Sequence, residues 1–339
     1  MTARQTSTPF WRRLLLPDTP QVVAEVVRSG FVESVHRGSV VAIDPAGAVL
    51  LAIGDSASPV FPRSSNKPMQ AAAMVDQGIV ESFGLEPQHL AVMAASHSGE
   101  PMHVDAIRDL LHRADVPESA LQCPHDMPLS TEAAAFLVSR ELEPGRIHHN
   151  CSGKHAGMLV TCAAQGWPQD TYRRVEHPLQ VAIRAELEAD AGEPVAGVGV
   201  DGCGAPVFGL TLLGLARAIA SVGRAAEESS RGQVAAAMRA HPELVGGTGR
   251  DVTALIRAVP GIVAKDGAEG VYAAALPDGT AVALKIADGS QRARAAVMVA
   301  ALRRVGVDVA AAEQEGLHEV AVLGGGEPVG VIRAAGVLA

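Results

Sequence analysis

Ser64 and Lys67 stand three residues apart in the stretch Arg63-Ser64-Ser65-Asn66-Lys67-Pro68-Met69-Gln70. A turn-rich segment, Gly54 to Pro59, precedes them, and the alanine-rich run Ala71 to Val75 follows. That run reads as a buried helix, so the first helix is predicted over residues 64–78. Residues three apart share a helix face, which would let the Ser64 hydroxyl meet the Lys67 amine. A serine hydroxyl becomes a useful nucleophile only when a base takes its proton. Lysine can be that base if burial and nearby positive charge lower its pKa. Arg63 supplies one such charge and the helix N-terminus a partial one, whose N–H groups would also suit an oxyanion. An N-cap serine followed by a solvated lysine has the same spelling, so the pair needs support from elsewhere in the chain.

Three further segments carry reactive side chains. Ser96-His97-Ser98-Gly99-Glu100 lies between the helical run Leu90–Ala95 and a helix opening after Pro101. It either puts a second hydroxyl, Ser96, into a cleft or serves only as a cap and turn. Lys265-Asp266-Gly267 closes the apolar run Gly261–Ala264. A strand-end lysine before a glycine turn is similar to the K-T-G element of serine penicillin-binding enzymes, where the lysine faces the serine. A surface hairpin would read the same way. The third segment, His148 to His155, gathers His148, His149, Cys151, Lys154 and His155. Cys151 and Lys154 share a helix face, and Cys203, between Gly202 and Gly204, is the other thiol in an open turn. Thiolate and imidazole are zinc ligands, whereas lysine is a poor one unless neutral. The group reads as a cysteine-based metal site or a Cys–His nucleophile, with plain core cysteines as the alternative. Cys123 and Cys162 read as core.

Arg63 and Asp201 have the charges to grip an amino acid, the arginine fork on an α-carboxylate and the aspartate on an α-ammonium. Each would equally serve a structural ion pair. His155 would donate a hydrogen bond to the same ligand or sit satisfied in the core. Arg250-Asp251, behind the turn Gly246 to Gly249, is a further charged pair.

The elements that must position these residues are of two kinds. Valine-rich runs at 21–27 and 32–43, a Pro45-Ala46-Gly47 turn and Val49–Ile53 read as antiparallel strands. Strand patterns return at 261–264, 270–275, 281–286 and 329–332, with a helix over 295–305. Between the two sets the pattern is helical, at 87–94, 102–114, 154–164, 178–188, 207–219 and 233–240, with one short apolar run at 195–200. Strands from both ends and helices from the middle imply a mixed α/β (α+β) fold: an antiparallel sheet built from both chain ends and covered by helices. Residues 21–339 are expected to be a single catalytic unit, with 21–63 and 261–339 supplying the sheet and 64–260 the helical region. Residues 1–20 are expected to be a loose arm.

The bulk composition narrows the partners. The 339 residues are 48% hydrophobic and 19% charged, as in globular enzymes. Aromatics are only 3%, so the core must be alanine, valine, leucine and isoleucine. Net charge is −9 with no basic stripe, which argues against nucleic acid and anionic membrane. Trp11 to Leu16 hints at a secretion signal, but Pro17 and Asp18 stop the apolar run. Four cysteines are few for this length and fit a reduced, cytoplasmic chain.

Six strings then fall into one order: Pro62-Arg63-Ser64 through Lys67, Ser96 through Pro101, Asn150-Cys151-Ser152-Gly153-Lys154-His155-Ala156-Gly157, Asp201-Gly202-Cys203-Gly204-Ala205-Pro206, Gly247 through Arg250, and Lys265 through Gly270. In this order they resemble the Rhizobium etli-type L-asparaginases, the class 3 or asparaginase II family, over about residues 20–335. The resemblance implies a serine β-lactamase/glutaminase-like fold and a homodimer. It implies hydrolysis of L-asparagine to L-aspartate and ammonia by two Ser–Lys tandems, Ser64 with Lys67 and Ser96 with Lys265. It implies Asp201 in the substrate pocket, and zinc held near that pocket by Cys151, Lys154, Cys203 and water. Which serine is acylated stays open. The alternatives are a glutaminase, another serine amidase or β-lactam hydrolase, or a zinc- or ligand-binding protein with a degenerate site.

Overall fold

The computed structural model describes residues 20–339, so Trp11 to Leu16 and the rest of the expected arm, apart from Pro20, lie outside the described residues. The chain opens with β1 (Gln21–Arg28), β2 (Phe31–Ile43), β3 (Val49–Ile53) and the short β4 (Pro59–Val60). Seven helices follow: α1 (Lys67–Val75), α2 (Ile79–Phe83), α3 (Pro87–Met93), α4 (Pro101–Arg113), α5 (Thr131–Ser139), α6 (Ser152–Gln165) and α7 (Pro178–Ala191). The hairpin β5 (Gly197–Val200) and β6 (Pro206–Thr211) leads to α8 (Leu212–Gly223), α9 (Ser230–Ala240), α10 (Pro242–Val245) and α11 (Asp251–Ala258). Then come β7 (Val263–Gly267), β8 (Val271–Ala275), β9 (Ala281–Ile286), α12 (Arg294–Arg304), α13 (Ala310–Gln314), β10 (Glu319–Gly324) and β11 (Glu327–Ala334).

The main sheet runs β10-β11-β1-β2-β9-β8-β7, all antiparallel, so it is built from strands of both chain ends, as their positions in the sequence implied. β2 is the hinge of this arrangement. Its first half pairs with β1 and its second half with β9, while β3 takes over the edge that β1 leaves. Irregular register between β1 and β2 curls the sheet there. Strands β7 and β8 are buried at every position, so they are covered on both faces. Helix α8 packs on β2, β8 and β9, and α12 packs on β9 and β11.

Every residue of α1 is buried. Its alanines let α3, α6, α7, α8 and α9 approach closely, which is how a core with few aromatics is filled. The predicted helix over 64–78 begins later than its pattern suggests. Arg63–Asn66 form a 3-10 turn and α1 proper starts at Lys67. Pro68 then occupies the first turn of the helix, where its missing N–H removes no bond. The predicted helix over 207–219 also divides. Residues 206–211 form β6, and Thr211 caps α8 by accepting a hydrogen bond from Gly214 N at 2.8 Å. Among the described residues no helix is long and apolar enough to cross a membrane.

Two helix starts share the spelling Glu-Pro-x-His, at 86–89 and 100–103. In each the histidine Nδ1 accepts the N–H of the N-cap glutamate, at 2.9 Å for His89 and 3.1 Å for His103. Only a ring unprotonated at Nδ1 can do this. Burial pushes both below the usual histidine pKa, His103 to about 4. The unfolded chain binds these protons near pH 6.5, so stability present above that pH is lost as pH falls toward 4. Denaturant unfolding at pH 7.5 and pH 5 should therefore show a loss, of which His103 accounts for on the order of 2 kcal/mol. His103→Gln should flatten this dependence.

Candidate active site

Tertiary contacts fix the Ser96–Glu100 loop, which has no regular structure of its own. Ser96 N donates to Val245 O at 3.0 Å and His97 N to Asn150 O at 3.2 Å. Ser98 Oγ donates to Gly246 O at 2.9 Å. The Glu100 carboxylate accepts from Thr248 N at 2.8 Å and Thr248 Oγ1 at 2.7 Å. His97 Nδ1 accepts the Gly99 N–H, so Nε2 carries the proton and donates to Ser152 Oγ at 2.9 Å. The loop is thus clasped between the start of α6 and the turn before α11. Ser96 inside it is only 5% exposed.

Lys67 reaches this loop from the first residue of α1. Its Nζ donates to the Ala95 carbonyl and, at 3.1 Å, to Ser96 Oγ. The pairing differs from the one expected from i,i+3 spacing. Among the described residues no hydrogen bond joins Lys67 to Ser64, because Ser64 belongs to the preceding 3-10 turn and does not share the helix face. Nor does Lys265 bond to Ser96; its amine is held by Asp266. Lys67 and Lys265 are nonetheless near enough for Lys67 to disfavour the Lys265 charge.

Ser64 sits half-buried at the rim. Its turn rests on β7, where Gly267 leaves no room for a side chain: a Cβ would lie 2.8 Å from Pro62 O and 3.2 Å from Ser65 N. Arg63, just before it, has φ +52°, a conformation that costs a non-glycine residue free energy. The Arg63 guanidinium is tethered through Nε to Asp201 Oδ1 at 2.7 Å. The two proposed grips for an amino acid are therefore paired with each other here. That ion pair draws the Asp201–Gly204 turn, with Cys203, against the Ser64 turn.

Cys203 completes a second cluster. Lys154 Nζ donates to Cys203 Sγ at 3.2 Å, and Cys151 and His155 lie against the same sulfur. A hydrogen bond from Cys151, opposed by burial but aided by Lys154 and His155, holds the Cys203 thiol well below its ordinary pKa. The Cys151 thiol is pushed up by that same bond and by burial. Burial opposes the Lys154 charge, but Cys203, Cys151 and Asp201 outweigh it and raise the lysine's pKa. His155 is fully buried, where it borders Cys203. Tyr172 Oη accepts the Gln122 N–H and so donates its own proton to His155 Nδ1, at 2.5 Å. That leaves His155 Nε2, which finds no well-formed hydrogen bond. None of the four cysteines is in a disulfide. Among the described residues no three His, Cys, Asp or Glu side chains are arranged to hold a metal; this cluster has two cysteines and an amine.

Of the ten site residues expected from sequence, Lys67 meets Ser96, Arg63 pairs with Asp201, and Cys151, Lys154 and His155 gather on Cys203, while among the described residues the Ser64 and Lys265 side chains bond to none of the others. Over residues 24–334 the chain matches the L-asparaginase II family. The chain belongs to that family. No curated protein matches it. Among solved structures it is similar to a β-lactamase from Mycobacterium bovis, at 17% identity over 78% of this chain and 94% of that one, with a TM-score of 0.45. It is also similar to the protein Mglu in its native form, at 14% identity over 79% of this chain and 64% of that one, with a TM-score of 0.36. Both likenesses are too loose to bear on chemistry. Family membership makes the chain a hydrolase of amides with a small-molecule substrate.

Sequence reasoning left out the partners of these residues. Asp266 had a visible signal, an acid beside a lysine inside a buried strand. Tyr172 and Arg294 had none, since only the fold brings them near. Gly153, between the expected ligands Cys151 and Lys154, explains itself in the structure. A Cβ there would run into the Val92 carbonyl of α3. Gly153→Ala should cost about 1–3 kcal/mol by denaturant unfolding, although alanine is the better helix former by about 1 kcal/mol. It should also move Cys151 and Lys154 off Cys203.

Proposed function

We propose that this member of the family is an L-asparaginase that works through a serine acyl-enzyme. What supports the serine route best is the bond from the Lys67 amine to the Ser96 hydroxyl, a base beside a hydroxyl in a water-poor site. On substrate entry the Arg63–Asp201 pair opens, Arg63 taking the α-carboxylate and Asp201 the α-ammonium. Ser64, at the accessible rim, attacks the side-chain amide carbon, and its proton passes to Lys67. Ser96 and Lys265 return a proton to the leaving ammonia. Water then cleaves the ester. Backbone N–H groups near Ser64 would hold the oxyanion, although the Lys67 N–H already bonds Ser64 O and Pro68 has none.

The Lys67–Ser96 bond also favours a second reading, in which Ser96 is acylated and Ser64 relays the proton. Intact-mass analysis of Ser64→Ala and Ser96→Ala during turnover separates the two, since only the variant that keeps the nucleophile can carry the acyl group. In either reading Lys67→Ala should lower ammonia release from asparagine by roughly 10²–10⁴-fold while the protein stays folded. A wild-type protein that releases no ammonia from asparagine sinks the proposal. Faster release from glutamine, or opening of a β-lactam, would move it to the neighbouring amidase classes.

The sulfur cluster suits zinc. Cys151, Lys154 and Cys203 are the residues that would hold it, with the amine neutral. The two sulfurs are soft donors that fit such an ion, and the Lys154 amine joins them once it sheds the proton that Cys203, Cys151 and Asp201 favour. When bound, the metal would add fixed positive charge to the pocket wall and steady the Asp201 turn. Cys203→Ala should abolish stoichiometric zinc in elemental analysis and raise KM more than it lowers kcat. Unchanged zinc content would refute this ligand set.

A further inference from the structure

The Lys265 amine is held by a set of charges that the reaction scheme above does not use. Nζ donates to Asp266 Oδ1 and, at 2.9 Å, to the Asp266 main-chain oxygen. Neighbouring residues of a strand point to opposite faces, so the lysine must curl round the strand edge to reach them. It can do so because β7 is the outer strand of its sheet. Asp266 Oδ2 is taken by Arg250 Nη2 and Arg294 Nη2, each at 2.9 Å. Arg294 also grips Asp251, with Nε at 2.8 Å and Nη2 at 2.9 Å, and lies 5.8 Å from the centre of the Tyr272 ring. The side chains of Lys265, Asp266 and Arg294 are 0%, 5% and 5% exposed, too little for water to screen their charges.

The charge count decides what this set does. Arg250 and Arg294 balance Asp266 and Asp251, so the buried group is neutral only when Lys265 is a neutral amine. Once it has taken up a proton, Lys67 adds a further repulsion from α1. Tyr272, buried and opposite Asp266 in the β7–β8 ladder, is pushed well above its usual pKa by burial and adds no charge. We propose that Asp266 is a positioning residue that places the Lys265 amine at the sheet edge, and that Arg250 and Arg294 offset its carboxylate so that the amine gives up its proton readily. Geometry and electrostatics agree. Burial lowers the Lys265 pKa to about 8, with Lys67 and Arg250 helping and Asp266 opposing. Removing the carboxylate should lower it further, and removing Arg250 should raise it.

The inference rests on the amidase reading, and the pH profile of kcat/KM for asparagine tests it. In the wild type the rate should rise through about pH 8. Asp266→Asn should move that rise down, and Arg250→Gln up, by about one pH unit each, with Arg250→Lys restoring it. Damage that is merely structural lowers the rate without moving the two rises in opposite directions. If both rises stay at the wild-type pH, or move the same way, the inference is overturned.

A wild type that hydrolyses no amide would defeat the amidase reading, and the same variants still decide this one by thermal unfolding against pH. A lysine depressed to about 8 in the folded state and near 10.5 unfolded adds stability as pH rises between those values. Relative to the wild type, the rise should begin lower in Asp266→Asn and higher in Arg250→Gln. Coincident curves for all three proteins overturn it.

Discussion

A lysine amine sealed inside a protein must find partners or cost several kcal/mol, and the placement of Lys67 is the constraint on which this site depends. It sits on the first residue of a helix that is buried all round. Its amine cannot reach solvent, so it must be met by fixed groups, here the Ala95 carbonyl and the Ser96 hydroxyl. That requirement explains why an irregular loop is held so firmly. An amine bonded to a loop that moved would lose these two partners. The clasp formed by Val245, Asn150, Gly246 and Thr248 supplies the rigidity that secondary structure would otherwise give. The same contacts join the turn before α11 and the start of α6 to the loop. One buried amine thereby ties together segments far apart in the chain.

Much of the architecture was legible because it follows from local rules. Valine-rich runs and the Pro45-Ala46-Gly47 turn identified β1, β2 and β3, short apolar runs identified β8 and β9, and their position at the two chain ends implied a sheet closed by both. Proline at the first helical position marked α3, α4 and α7. Where the pattern is a plain apolar run, local rules fail. Val207 to Leu210 is buried on both sides in β6, so it carries no period that would tell strand from helix. Helix α5 and strand β10 were missed for a related reason. Both are largely exposed, and their apolar residues are spread around the element instead of along one face.

The site was legible as a set of residues and not as a set of pairs. Sequence order reveals that Ser64, Lys67, Ser96 and Lys265 exist, but spacing assigns partners only within a helix. The turn at Arg63 breaks that assumption. With φ at +52°, Arg63 sends its guanidinium to Asp201, and Ser64 follows it out of the helix. Lys67 is then left facing inward, toward a loop twenty-nine residues further on. Asp266 is a second case. Its neighbour in sequence, Lys265, should lie on the opposite face of the strand, and only the free edge of β7 lets the two meet.

The three buried lysines are distinguished by what opposes them. Lys265 faces a carboxylate that two arginines already claim. Lys154 faces a sulfur whose pKa neighbouring donors push well below the ordinary thiol value. Lys67 faces a carbonyl and a hydroxyl, and among the described residues no acid pairs with it. Lys154, whose partners favour its charge, is committed to holding it. A lysine held by a hydroxyl can exchange a proton along the bond that positions it. For this reason Lys67 occupies the place a proton acceptor needs, while Lys154 shapes the field around it and Lys265, whose carboxylate partner is already claimed by two arginines, can still move a proton. Lys67 also favours ionisation of the Cys151 thiol, so the sulfur cluster and the serine cluster share one electrostatic environment. A change of charge at either cluster must register at Lys67.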